Sequence, residues 1–206
     1  MNIGVLALQG DFSEHISVLR GLGVVASEIR RSSELEMLDG LIIPGGESTS
    51  NAIIVDGTHS LKSLKPEHFP LFVAIKEKAL TGFPVWGTCM GSIVLAKRIE
   101  GSNQGRVGAM DITVRRNAFG PQKKSAEISL SIPVLGSSLF HGIFIRAPLI
   151  TEVGVSVQVL SRIHEGIVMA REGNLLATAF HPEVTSDDRV HKYFIQMVEQ
   201  YSSQQV

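Results

Sequence analysis

The chain has 206 residues, enough for one domain whose core needs no covalent staple. Its 19 Lys and Arg against 20 Asp and Glu leave a formal charge of −1 with no basic block, which argues against a nucleic-acid partner. The single cysteine excludes an internal disulfide and fits a reducing cytoplasm, no apolar run approaches the ~18 residues of a membrane span, and no charged leader precedes the first apolar stretch.

Residues 2–8 form a continuous apolar run, too short for a helix, and read as a buried strand that Gln9-Gly10-Asp11 ends. Phe12, Ile16, Leu19 and Leu22 then recur at helical spacing, with Glu14, His15 and Arg20 on other faces and Gly21 and Gly23 as the stop. Residues 24–29 and 40–43 are further strands. This β-α-β rhythm predicts a mostly parallel sheet with helices on both faces and right-handed crossovers.

The third strand runs into Pro44-Gly45-Gly46-Glu47-Ser48-Thr49. Paired glycines after a buried strand let main chain approach a ligand, although the same residues also suit an ordinary loop with a helix cap. Position adds weight, because open parallel sheets bind ligands beyond the carboxyl ends of their strands. Residues 56–70 carry two prolines and two histidines, His59 and His68, and read as a surface insertion. Leu71, Ala74, Ile75 and Lys78 resume helical spacing and feed the next strand.

That strand ends in Gly87-Thr88-Cys89-Met90-Gly91, and residues 92–98 read as a helix. The spacing is that of the nucleophile elbow G-x-S-x-G with cysteine in the serine position. A lone cysteine in apolar surroundings is more often a small core residue. The flanking glycines and the strand-to-helix switch, which burying a thiol does not require, bring the two readings level. Beyond the elbow, residues 111–116 alternate like a half-buried strand. It ends at Arg115-Arg116, a pair that suits either a bidentate carboxylate clamp or a solvated surface. Residues 128–132, 140–145, 155–163, 166–170 and 175–180 make a β-rich second half with short connections that favour hairpins, and one strand ends at Arg146.

The last strand delivers His181-Pro182-Glu183, followed by a helix over residues 186–201. Pro182 favours an extended His181, so residues 181 and 183 would point to one side and the carboxylate would orient the imidazole. An imidazole held in one tautomer can take a proton from a thiol and return it to a leaving amine. Without a cysteine elbow, the same residues would be only a helix-capping turn. No internal repeat and no linker is visible, so residues 1–206 are expected to form one domain.

Cys89 in its elbow together with His181-Pro182-Glu183 resembles the class I, or triad, glutamine amidotransferases. Residues 4–11, 44–49, 116–120, 144–148 and 180–183 narrow the resemblance to the glutaminase subunits of pyridoxal 5′-phosphate synthase. The resemblance implies a flavodoxin-like three-layer α/β fold and hydrolysis of L-glutamine to glutamate and ammonia, with no cofactor and no metal. It assigns Cys89 as nucleophile, His181 as base and Glu183 as orienting carboxylate. Glutamine would be held by Gly46, Glu47, Ser48, Arg116, Ile145 and Arg146, and the oxyanion by backbone N–H groups of Gly46 and Met90. Gln9 would meet the partner, a synthase subunit in a large heteromeric complex that receives the ammonia. Pro121 replaces a usual arginine, Met90 a common alanine, and segment 56–70 is longer than usual. The rival readings are another cysteine hydrolase of the same fold, such as a γ-glutamyl hydrolase, and a non-catalytic interaction subunit.

Overall fold

A computed structural model describes residues 1–46, 69–102, 106–118 and 125–204. Glu47, Ser48 and Thr49, most of the expected insertion at 56–70, and Phe119, Gly120 and Pro121 lie outside the described residues. The first half runs β1 (Asn2–Leu6), α1 (Phe12–Gly21), β2 (Val25–Ile29), β3 (Gly40–Ile43), α2 (Phe69–Leu80), β4 (Val85–Thr88), α3 (Met90–Leu95) and β5 (Ala96–Ile99). The second half follows with β6 (Met110–Arg115), β7 (Ser125–Leu130), β8 (Phe140–Ile145), β9 (Leu149–Val153), β10 (Gln158–Ile163), β11 (Gly166–Glu172), β12 (Leu175–Thr178) and α4 (Arg189–Ser203).

Among the described residues the main sheet has the order β2-β1-β3-β4-β12-β11-β9-β6-β5, with β10 paired to β11. Strands β2, β1, β3, β4 and β12 are mutually parallel, as the sequence rhythm predicts. From β12 onward, β11, β10, β9 and β6 pair antiparallel, and β7 and β8 form a separate two-stranded sheet. The central strands are apolar on both sides because both faces are covered. Leu41, Ile43, Val85 and Ala177 pack with Leu71, Phe72 and Ile75 of α2 and Ile93 of α3. Their neighbours Ile42, Trp86 and Leu176 face the opposite layer, with Ile16 and Leu19 of α1 and Phe194, Met197 and Val198 of α4.

Two readings of the sequence need correction. The helix expected over residues 92–98 stops at Leu95, and residues 96–99 become β5, which pairs in parallel with β6. Ala96 and Ile99 are buried while Lys97 and Arg98 are exposed, a pattern too short to distinguish a helical turn from a strand until β6 supplies a partner. His15, expected on an outer face of α1, is completely buried.

Candidate active site

Four neighbouring parallel strands, β1, β3, β4 and β12, each end at the site. They lead respectively into Gln9-Gly10-Asp11, Gly45-Gly46, Cys89 and His181. This is the position at which an open parallel sheet exposes chain ends and binds ligands.

Cys89 occupies the turn between β4 and α3 with φ 45° and ψ −106°, an unfavourable backbone for a residue with a side chain. Its N–H donates to Thr178 O at 2.8 Å, and its carbonyl accepts from Ser92 Oγ at 2.6 Å. The flanking glycines are dictated by contact. A Cβ on Gly91 would lie 1.9 Å from Ile43 O, and one on Gly87 would lie 2.3 Å from Gly91 O. The thiol is 3.7 Å from Ile145 O and 5% of the residue is exposed, so the small-core-residue description is correct for its burial and incomplete for its setting.

His181 and Cys89 meet across Gly45. A Cβ on that glycine would lie 2.5 Å from His181 Cε1 and 3.1 Å from Cys89 Cβ. His181 Nδ1 is 2.7 Å from Glu183 Oε1 and 3.3 Å from Asp11 Oδ2. The expected His-Glu pairing is therefore present, but Pro182–Val184 forms a 3₁₀ turn in place of extended chain. Burial opposes a charge on His181. Hydrogen bonds with Asp11, Cys89 and Glu183 outweigh it and push its pKa up to about 12. Burial pushes the Glu183 carboxyl up, against the pull of the adjacent imidazole.

Asp11 was visible in the sequence only as the end of a strand. It stands at the N-cap of α1 yet makes no capping hydrogen bond, because its carboxylate is directed to His181. Its N–H reaches Gly45 O at 3.2 Å, and Gly45 N–H donates to Thr88 Oγ1 at 2.9 Å, so the three loops brace one another. Asp11, His181 and Glu183 have potential metal-ligand atoms within 4.8 Å of one another, but the imidazole nitrogen of that group is engaged by Glu183.

An open cleft begins at Cys89. Gly46, Met90, Ile93, Arg116, Asn117, Ile145, Arg146 and Pro148 line it with Cys89. Of the expected glutamine-holding residues, Gly46, Arg116, Ile145 and Arg146 thus converge here, while Glu47 and Ser48 lie outside the described residues. Asn117 and Arg146, like Cys89, have positive φ, at 48° and 47°. The Arg116 and Arg146 turns are tied by Ala118 N–H to Ala147 O at 3.2 Å, and β8 is tied to His181 by its N–H to Ile143 O at 2.8 Å. Gln9 touches one of the lining residues, its Nε2 donating to Met90 Sδ at 3.3 Å.

A cysteine on a strained elbow, an imidazole backed by a carboxylate and an arginine-lined cleft at the ends of a parallel sheet define a triad glutamine amidotransferase. The SNO glutamine amidotransferase family model matches residues 5–200, and the chain belongs to that family. It is similar to the pyridoxal 5′-phosphate synthase subunit PdxT of Carboxydothermus hydrogenoformans, with 50% identity over 96% of this chain and 98% of that protein. Its likeness to the same-named subunit of Moorella thermoacetica is also 50%, over 96% of this chain and all of that one. A crystal structure described as a glutamine amidotransferase superposes with TM-score 0.83 at 40% identity, covering 96% of this chain and 98% of that chain.

Proposed function

We propose that the chain hydrolyses L-glutamine to L-glutamate and ammonia and passes the ammonia to a synthase subunit that assembles pyridoxal 5′-phosphate. The observation that carries this reading is that Cys89 shares one cleft with the Arg116 and Arg146 turns while the Glu183-paired His181 meets it across Gly45. Residues 1–206 act as one glutaminase domain. The reaction belongs in the cytoplasm, where reducing conditions protect the lone thiol on which it depends.

Glutamine enters with its side-chain amide toward Cys89 and its α-carboxylate toward the guanidinium groups of Arg116 and Arg146, which suit bidentate pairing. His181, already charged at neutral pH, holds the proton that Cys89 gives up, and the thiolate attacks the amide carbon. Backbone N–H groups of Gly46 and Met90 receive the negative charge that develops on the amide oxygen. Collapse of the tetrahedral intermediate breaks the C–N bond as the imidazolium protonates the departing nitrogen, leaving a glutamyl thioester and ammonia. Water, deprotonated by the now neutral His181, then attacks the thioester and releases glutamate. Glu183 holds the imidazole throughout.

Gln9 connects this chemistry to docking. Its amide touches Met90, one of the two oxyanion donors, so a partner that presses on the loop at Gln9 also adjusts the oxyanion site. Such coupling has a chemical purpose, because ammonia released into water near neutral pH is mostly protonated and no longer nucleophilic. The test is ammonia release from L-glutamine by the purified chain, alone and with a cognate synthase subunit, beside Cys89→Ala. Partner-stimulated release that disappears in the variant is expected. A folded, partner-bound chain that releases none would instead be a non-catalytic interaction subunit.

A further inference from the structure

Behind Glu183, on the side of the sheet covered by α1 and α4, lie two histidines with no role in the chemistry above. His15 and His191 are both 0% exposed. His15 Nδ1 is 2.9 Å from His191 Nε2, while His15 Nε2 is 3.3 Å from Thr88 Oγ1 and 3.4 Å from Glu183 Oε2. Trp86 on β4 packs edge-on against both rings, with centroids 5.5 Å from His15 and 5.0 Å from His191. Glu183 Oε1 belongs to His181, but Oε2 is buried without a hydrogen bond, and so is His191 Nδ1.

These two orphaned atoms select one arrangement of protons. If His15 carries its proton on Nε2, that N–H has two acceptors in reach, Thr88 Oγ1 at 3.3 Å and the bare carboxylate oxygen at 3.4 Å. Its Nδ1 then accepts from His191 Nε2–H, and His191 Nδ1 is left as a lone pair. The opposite arrangement lets Thr88 Oγ1–H donate to His15 Nε2, but it sets that lone pair beside the carboxylate, leaves Oε2 bare and strands a buried N–H on His191 Nδ1. Buried N–H groups without acceptors are the rarer and costlier defect. We propose that His15 is a positioning residue of the triad, donating Nε2–H to Glu183 Oε2, with His191 fixing its tautomer, so that Oε1 remains on His181.

Both rings are suited to a neutral relay. Burial, followed by the proximity of His191 and His181, holds His15 well below the usual histidine range. Burial brings His191 down to about 4 against the opposing charge of Asp188. The other ionisable groups facing Glu183 are His181, which stabilises its charge, and Asp11, which opposes it. Removing the donor on His15 leaves the carboxylate oxygen unpaired, so Glu183 takes up a proton at higher pH and ceases to orient His181.

This inference rests on the glutaminase reading, and its test separates the two. Glutaminase kinetics would be measured against pH on the full chain with its synthase partner, for wild type, His15→Leu and His15→Gln, with thermal unfolding of each. For His15→Leu, kcat is expected to fall roughly 10- to 100-fold, the range found when a residue that orients a catalytic ligand is lost, with little change in KM. The acid limb of its kcat profile should move about one unit upward. His15→Gln keeps an N–H donor and should restore most of kcat and return the limb. Equal losses in both variants with an unmoved limb, or an unchanged kcat in folded His15→Leu, would overturn the proposal. Ring ¹⁵N shifts of the wild-type protein give a readout independent of turnover and of whether any variant folds. A protonated Nε2 on His15 is expected, and a protonated Nδ1 would refute the positioning role. Wild type that releases no ammonia would defeat the glutaminase reading and leave the tautomer to decide the role of His15.

Discussion

Asp11 contributes a second carboxylate to the nitrogen that Glu183 already engages, and the two differ in exposure. The Glu183 side chain is fully buried, whereas 40% of the Asp11 side chain is open to solvent. Asp11 therefore adjusts the protonation of His181 more than it fixes the ring. Its hydrogen bond raises the His181 pKa, and its charge raises that of Glu183. Asp11→Asn removes both effects, so the imidazolium loses its proton at lower pH and the carboxylate forms at lower pH. Both limbs of the kcat profile should shift in the acid direction, by about one unit on the alkaline side, with the fold intact by circular dichroism. A profile that stays in place would show that Asp11 only braces the loop against Gly45.

At the scale of elements, the β4–Cys89–α3 turn and the β3–Gly45 turn are pressed together so closely that each leaves room for only one kind of residue. Cys89 holds a backbone conformation that costs on the order of 1–3 kcal/mol, and contacts of the surrounding elements must offset that cost. Alanine at the two glycines should separate folding from catalysis. In Gly91→Ala the new methyl meets a backbone carbonyl of β3 at 1.9 Å, which the sheet cannot move aside, and a loss of about 3 kcal/mol or more is expected. In Gly45→Ala it meets the His181 ring at 2.5 Å, and a ring can rotate. That variant should lose only ~1 kcal/mol of stability and yet roughly 100-fold in kcat, because a small displacement of a catalytic group is expensive. Urea unfolding and glutaminase assays on the pair check this. Comparable activity per folded molecule in wild type and Gly45→Ala would contradict the account of His181 and Cys89 meeting across that glycine.

For the whole molecule, the buried histidines make stability depend on acidity. His191 is depressed from 6.5 to about 4, and His15 is depressed as well. A lowered folded-state pKa contributes stability that is present above the unfolded value and is lost as pH falls through the folded value. For His191 the loss runs from pH 6.5 to about 4 and amounts to roughly 3 kcal/mol at about 1.4 kcal/mol per unit. Glu183, with its raised pKa, works in the opposite direction, and His181 adds slope only near and above pH 6.5, since below it the group is charged in the folded and the unfolded chain alike. Urea midpoints measured between pH 7 and 4 should therefore fall for wild type, and the decline should be shallower in His191→Phe. An equally steep decline in the variant would assign the acid sensitivity to other groups.

Whatever local pattern encodes could be read before any fold was known. Short apolar runs alternating with helical spacing gave the parallel half of the sheet, since strands covered on both faces must be apolar on both faces. The glycines of the elbow and of Pro44-Gly45-Gly46 marked the close approaches, and Cys89, His181 and Glu183 were legible because their types and spacing carry the chemistry. Tertiary structure decided whatever depended on a partner remote in sequence. Residues 96–99 became β5 only because β6 offers its edge. Asp11 left its capping role because His181 arrives beside it from β12. His15 belonged to a polar face by its own helix, and its burial required α4 to bring His191, β4 to bring Trp86, and the turn after β12 to bring Glu183. Periodicity reports which residues share a face of one element; only packing reports which polar residue on that face meets a buried group able to satisfy it.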